Sequence, residues 1–470
     1  MTAAALVVLI APGRAEDLQR TLHVRLAPLD FVEAVRYLEA THSDIAGRNR
    51  REGTVDVIVH QDRLPELWAM GEVSILDHSR PFKQILAERI EAGAAPDPNY
   101  KTYPEVLAWM DTIVAKHPAI AQKVNLTQML GTPATEEGRE LYAIKISDNV
   151  AQDEDELAFL FDALHHAREL NTIEVAMDIV NIVTELYGKI PGATKLVDNY
   201  EVWVVPVVNP DGLQYVWNVN QNWRKNRRDN GNGTFGVDVN RNYPFLWGVC
   251  GNNSGDPSSE VYRGPFPLSE PEAQTMVALG EKLRPTVYMS YHSFGQEVLP
   301  PYLCATLAEP AIVNTVRDLY RERMGYDWRP ASSSGESFEW FYNQVSSVGY
   351  LTEIGTSFQP SFDVTLEEVK KVRKGWIWLL QMPDLGPLVQ GRVTDSVSGA
   401  PLEAEVSSNR IAFSEGERRA CEAQYGRYGW LLPLEGHTLT FSAEGYAPQE
   451  VPVFVSLGGE TLDVELDPLP

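Results

Sequence analysis

Four near-continuous apolar runs limit what this chain can fold into more than any other feature. They are ELAFLFDAL (156–164), EVWVVPVV (201–208), TVYMSYH (286–292) and GYLTEIG (349–355), each bounded by turn residues. A strand that is apolar on both faces needs cover on both sides. Amphipathic helical patterns between the runs, such as TIEVAMDIVNIVTELYG (172–188), supply it. The expectation is an α/β body over residues 93–385, with a mostly parallel, mixed sheet flanked by helices.

The flanks read differently. Residues 16–92 alternate strand-like LHVRLAP, TVDVIVH and EVSILD with helix-like DFVEAVRYLEA and DRLPELWAMG, which predicts a small α+β domain. The stretch IEAGAAPDPNY (90–100) is rich in Ala, Gly and Pro and reads as an exposed linker. Residues 386–470 show short strands such as LVQGRVTD, TLTFSAEG and TLDVELD with no long helix, which predicts a β-sandwich. The apolar run at 3–11, followed by Gly13-Arg14-Ala15, predicts a signal peptide over residues 1–15, although no Lys or Arg precedes it. That reading places the protein outside the cytoplasm, secreted, periplasmic or extracellular. No other stretch could span a membrane.

Composition excludes some classes. A formal net charge of −25 argues against a nucleic-acid partner, because phosphate binding needs a basic face. Cys250, Cys304 and Cys421 lack CxxC spacing, so neither a thiolate metal site nor a dense disulfide framework is expected, and the odd count leaves a thiol over.

In an open α/β sheet, ligands collect at the carboxyl ends of the strands. The first run leads into HHARE (165–169), with His166 and Glu169 three apart, and the third ends at His292. Two imidazoles and a carboxylate make a set that leaves one tetrahedral position of zinc open for water. The second run ends in Asn209-Pro210-Asp211-Gly212, from which the chain reaches Trp223-Arg224-Lys225 and then VDVNRNY (237–243). The fourth delivers Glu353, a carboxylate on a buried strand that needs a partner or a task.

In this order HxRE, NPDG, WRK, VDxNRNY, SYHS and the TE strand resemble the zinc metallocarboxypeptidases typified by carboxypeptidase A. Among these the chain looks most like the bacterial carboxypeptidase T type. The resemblance covers residues 100–382, and HExxH is absent. It implies that His166, Glu169 and His292 bind Zn²⁺, that Glu353 is general base and acid, and that Arg224 faces the scissile carbonyl oxygen. Arg168 would help hold the peptide, and Asn240 with Arg241 would clamp a free C-terminal carboxylate, which a guanidinium can grip with two parallel hydrogen bonds. Position 331, where the family has a mobile tyrosine, is Ala331; Tyr326 or Trp328 are candidate substitutes. The ungapped register puts Leu303, Phe338 and Thr352 in the pocket for the terminal side chain. Glu336 would let basic side chains enter beside apolar ones. His165 is not expected to be a ligand.

The 16–92 segment resembles the family's activation domain, which implies a zymogen opened by a partner protease that cuts the linker. The 386–470 segment resembles the transthyretin-like, regulatory-like domain found beside some of these enzymes. The substrates implied are peptides and proteins with a free C-terminal carboxylate. Competing readings are a zinc amidase or deacylase of the same fold, an inactive binding protein and an adhesion protein. The complete NRNY set speaks against the first, and the presence of Glu353 and all three ligands against the others.

Overall fold

The computed structural model describes residues 21–93 and 99–470. The apolar run at 3–11 and the middle of the 90–100 linker lie outside the described residues.

Strands β1 (Thr21–Pro28), β2 (Asp44–Asn49), β3 (Thr54–His60) and β4 (Gly71–His78) form an antiparallel sheet in the order β2-β3-β1-β4. Helices Phe31–Ala40 and Leu64–Met70 cover one face, burying Ala34, Leu38, Leu64 and Leu67 against Leu22, Val24, Val55 and Val57. On β3 alternate residues point opposite ways. Val55, Val57 and Val59 fill this small core, while Ile58 is buried on the other face with Phe294 and Phe358 of the large body. β2 was absent from the sequence reading. Its segment, DIAGRN, has no alternating apolar pattern and exists as a strand by pairing with β3.

The large body holds eight strands: β5 (Ala121–Asn125), β6 (Tyr142–Ile146), β7 (Leu157–Ala163), β8 (Tyr200–Val205), β9 (Val287–Ser293), β10 (Glu297–Leu299), β11 (Asp327–Trp328) and β12 (Val348–Ile354). Their order is β11-β10-β12-β9-β7-β8-β6-β5. The four apolar runs are the adjacent central strands β12, β9, β7 and β8, parallel throughout, and the outer pairs β10–β12, β8–β6 and β6–β5 are antiparallel. Every residue of β7 and of β9 is buried. Helix Asn171–Leu186 packs on β7, β8 and β9 on one face, and helix Ser337–Val345 packs on β9 and β12 on the other. The expected mixed sheet with flanking helices is therefore the one observed.

After helix Phe362–Leu380 the chain forms β13 (Leu388–Asp395), β14 (Glu405–Ser408), β15 (Arg427–Leu431), β16 (Gly436–Ser442), β17 (Gln449–Phe454), β18 (Glu460–Thr461) and β19 (Val464–Leu466). One sheet runs β15-β13-β18 with β19 also on β13, the other β14-β16-β17, and Val393, Trp430, Leu439 and Phe441 fill the core between them. Leu388 and Leu431 belong instead to the core of the large body. Cys250 and Cys304 form a disulfide, and Cys421 is the buried leftover thiol.

Candidate active site

At the end of β7 the chain turns sharply: Leu164, itself buried, has φ +61°, a conformation uncommon outside glycine. Backbone bonds from Val208 to Ala163 and from Asn209 to Leu164 hold the turn. It projects His166 and Glu169 across the sheet end toward His292 at the end of β9. His166 Nδ1 lies 2.8 Å from Glu169 Oε1 and 3.0 Å from His292 Nδ1, and His292 Nδ1 lies 3.2 Å from Glu169 Oε2. Tetrahedral zinc with bonds of about 2.0–2.1 Å spaces its ligand atoms by roughly this amount. Burial and the nearby Arg224 guanidinium push the His166 pKa down to about 4. Burial and His165 hold His292 well below the usual histidine value. Burial thus favours the neutral imidazole in both rings, and their Nδ1 atoms converge with a carboxylate, a donor set that suits zinc.

The outer ring nitrogens are held as well. His166 Nε2 meets Asp238 Oδ1 at 3.2 Å, and His292 Nε2 meets Ser290 Oγ at 3.1 Å. Ser290 in turn donates to Asp162 at 2.7 Å. Such outer contacts fix ring orientation and raise ligand basicity. His165 faces the other way, with Nε2 2.9 Å from the Tyr243 hydroxyl, and stands outside the ligand group.

Asp238 ties the site together. Its Oδ2 accepts from Arg224 Nε at 3.0 Å and Nη2 at 2.8 Å, while Oδ1 accepts from the Asn240 backbone N–H at 3.0 Å and so starts the turn Val239–Arg241. The Arg224 and Arg241 guanidinium groups hold Asp238 well below the usual carboxylate range against the effect of burial. Asn240 Oδ1 accepts from the Ser337 N–H at 2.9 Å, which leaves its buried Nδ2 without a partner. Arg241 donates Nε to the Asn252 carbonyl at 2.9 Å and Nη1 to Glu336 Oε1 at 2.7 Å. Glu353 lies beside His292 in the β9–β12 register and beside Glu297 in the β10–β12 register. Burial first, then the Glu169 charge, push its carboxyl above the usual range.

His166, Glu169, Arg224, Arg241, Glu336 and Glu353 line one cavity, and Asp44 to Arg48 of β2 close it from the N-terminal side. Asp44 takes both Arg168 Nη atoms, at 2.5 and 2.6 Å, and Asn252 Nδ2 donates to the Ser43 carbonyl at 3.2 Å. Gly47 passes so near Phe294 that a Cβ there would sit 2.0 Å from the ring.

The structure corrects the expected specificity pocket. Thr352 is fully buried and its hydroxyl lies 3.2 Å from Tyr320 Oη, away from the cavity. A strand alternates its side chains, so the neighbour of Glu353 points to the opposite face; Leu351, two residues before Glu353, lines the cavity instead. Phe338 is buried in the large core, and Leu303 packs partly buried against it; neither is on the cavity wall. Neither candidate for the mobile tyrosine reaches the cavity: Tyr326 Oη donates to Glu368, and Trp328 is half-exposed under Arg317. Sequence reasoning missed Asp44, Glu297 and Arg329 on the wall and Asp238 behind it. Asp238 lay inside VDxNRNY, where a lone carboxylate between Val237 and Val239 was the available signal.

A family model described as zinc carboxypeptidase matches residues 106–357. Carboxypeptidase A1 of Sus scrofa is 29% identical over 317 residues, covering 63% of this chain and 73% of that protein. A zinc carboxypeptidase of Saccharothrix mutabilis subsp. capreolus is 34% identical over 188 residues, 40% of each chain. Among solved structures, carboxypeptidase A of Helicoverpa armigera superposes with a TM-score of 0.64 at 19% identity, covering 77% of this chain and 96% of that one. Thrombin-activatable fibrinolysis inhibitor does so with a TM-score of 0.60 at 20% identity, covering 77% and 99%.

Proposed function

Because the chain belongs to the zinc carboxypeptidase family, we propose that it removes single residues from peptides with a free C-terminal carboxylate, once residues 21–93 have been detached by cleavage between 90 and 100. The observation that carries the reading is the donor group of His166, Glu169 and His292 at a cavity that Arg241 and Glu353 also line.

In this reading His166, Glu169 and His292 hold zinc, which when bound polarises the scissile carbonyl and acidifies a water. Glu353, a buried carboxylate with a raised proton affinity, takes the proton of the attacking water and passes it to the leaving amine. Arg224, fixed by Asp238 through Nε and Nη2, offers the rest of its fork to the carbonyl oxygen as charge develops there. Arg241 grips the terminal carboxylate, with the unpartnered Asn240 Nδ2 as a further donor. Arg168 holds the chain upstream. Glu336 Oε2, buried and unpartnered, supports entry of a basic terminal side chain beside apolar ones.

The zymogen reading rests on Asp44, whose bidentate pair occupies Arg168 while β2 fills the mouth of the cavity. The Cys250–Cys304 disulfide suits secretion into an oxidising compartment. Among the described residues no helix is long and apolar enough to cross a membrane.

The test is zinc analysis combined with C-terminal trimming of a peptide by linker-cleaved protein, with an amidated peptide as control. Equal cleavage of the amidated peptide would sink the exopeptidase reading. Glu353→Gln should abolish trimming while zinc content stays at one per chain. Glu336→Gln should slow release of C-terminal Arg and spare release of Phe.

A further inference from the structure

We propose that Arg329 is a further substrate-contacting residue, a second guanidinium that receives the terminal carboxylate together with Arg241. This rests on the exopeptidase reading above and names how the same site recognises its substrate.

Arg329 is buried and lines the cavity. Its Nε donates to Glu297 Oε2 at 2.7 Å, and its Nη1 to Ser332 Oγ at 2.8 Å and the Pro330 carbonyl at 3.2 Å. Nη2 differs. It lies 3.5 Å from Glu353 Oε1, which is attraction without a proper hydrogen bond. A guanidinium carries five N–H donors in a fixed fork. Here the protein holds the group still through Nε and Nη1 and leaves Nη2 toward the gap beside Glu353.

That gap is where a substrate must lie. Arg241 and Arg329 belong to one bonded strip: Arg241 Nε donates to the Asn252 carbonyl, the Asn252 N–H donates to the Ser332 carbonyl at 2.9 Å, and Ser332 Oγ accepts from Arg329. Glu336 feels both guanidinium charges. A peptide gripped by Arg241 with its scissile bond beside Glu353 passes the Nη2 of Arg329. A carboxylate has two oxygens and about four lone-pair sites, enough for both forks.

Neutralising Glu297 accounts for Nε alone. A buried guanidinium is costly to desolvate, and Glu297 already pairs it. A purely structural arginine would have its Nη2 satisfied by protein as well.

The test uses linker-cleaved, zinc-loaded protein, a peptide ending in Phe and the small carboxylate 3-phenylpropionate. For Arg329→Gln, KM for the peptide and the 3-phenylpropionate dissociation constant measured by calorimetry should rise together by about 10- to 100-fold. That is the range for a charged hydrogen bond lost from a desolvated site. kcat should stay within about threefold, and Arg329→Lys should recover most of the binding. If Glu297, left unpaired, prevents folding, Arg329→Gln with Glu297→Gln, compared with Glu297→Gln alone, should give the same rises. A fall in kcat with both binding constants unchanged would overturn the proposal, because Arg329 would then act only on Glu353. Unchanged kinetics and binding would overturn it too. If the parent protein fails to trim the peptide, the exopeptidase reading falls, while the calorimetric comparison still reports on Arg329.

Discussion

The two flanking domains are attached to the catalytic body to different degrees. The N-terminal sheet has its own core and shares with the body a small cluster of Ala46, Ile58, Phe294 and Phe358. Its trailing helix Phe82–Glu91 adds Phe82 and Ile85 beside Leu164 and Trp217. Open clefts lined by both partners flank β2. The C-terminal sandwich instead puts Leu388 and Leu431 into the catalytic core. It also drives a buried charge into the joint: Arg419 gives Nε and Nη2 to Glu309 at 3.0 and 2.7 Å, and Trp430 Nε1 adds a bond of 2.7 Å to the same carboxylate. A sheet that keeps its own core behind an interface flanked by voids can come apart without unfolding either side, with Phe82 and Ile85 as the part of its segment that shares the body's core. One that shares a core cannot.

The largest effect should come from cutting at each junction. Proteolysis between 90 and 100 should raise peptide trimming at least about 100-fold, since a tethered occupant acts at an effective concentration near millimolar. Deleting 387–470 should yield insoluble protein in an expression and sedimentation assay. Soluble, active truncated protein would erase the contrast. Next, Arg419→Ala strands Glu309 in the joint and should cost about 3–5 kcal/mol of stability in chemical denaturation, with the ratio of cut to uncut activity unchanged. Asp44→Ala should do the reverse. It leaves global stability nearly intact but weakens docking by about 3 kcal/mol, so uncut protein gains activity roughly 100-fold.

The smallest effect is a pH dependence confined to the N-terminal joint. His23 lies tilted beside Phe358 among Asp56, Arg25, Asp44 and Arg168, and burial pushes its pKa down to about 4. A detached His23 titrates near 6.5, so between these values the open form binds more protons. Its contribution to docking is complete above about pH 6.5 and is lost as pH falls toward 4. Basal activity of the uncut protein, divided by that of the cut protein, should rise several-fold from pH 7 to pH 5, and His23→Gln should flatten the rise.

What the sequence made legible follows the same divide. The central strands and the zinc donor set lie at the ends of apolar runs, where local pattern and function coincide. β2 carries no such pattern, so neither it nor the Asp44–Arg168 pair, 124 residues apart, could be read before the docked sheet was seen. Arg329 and Glu297 are adjacent only because β10 runs between β11 and β12. Thr352 was misplaced by one residue, and in a strand one residue is the other side of the sheet.

Gly47 sets how closely the N-terminal sheet can sit on the large body. Phe294, the ring it touches, is wedged edge-on against Phe358, so almost any replacement at Gly47 would prop the cap ajar. On the proposed zymogen reading, a missense change there would leave the uncut protein partly active, a gain of function from a position outside the catalytic body.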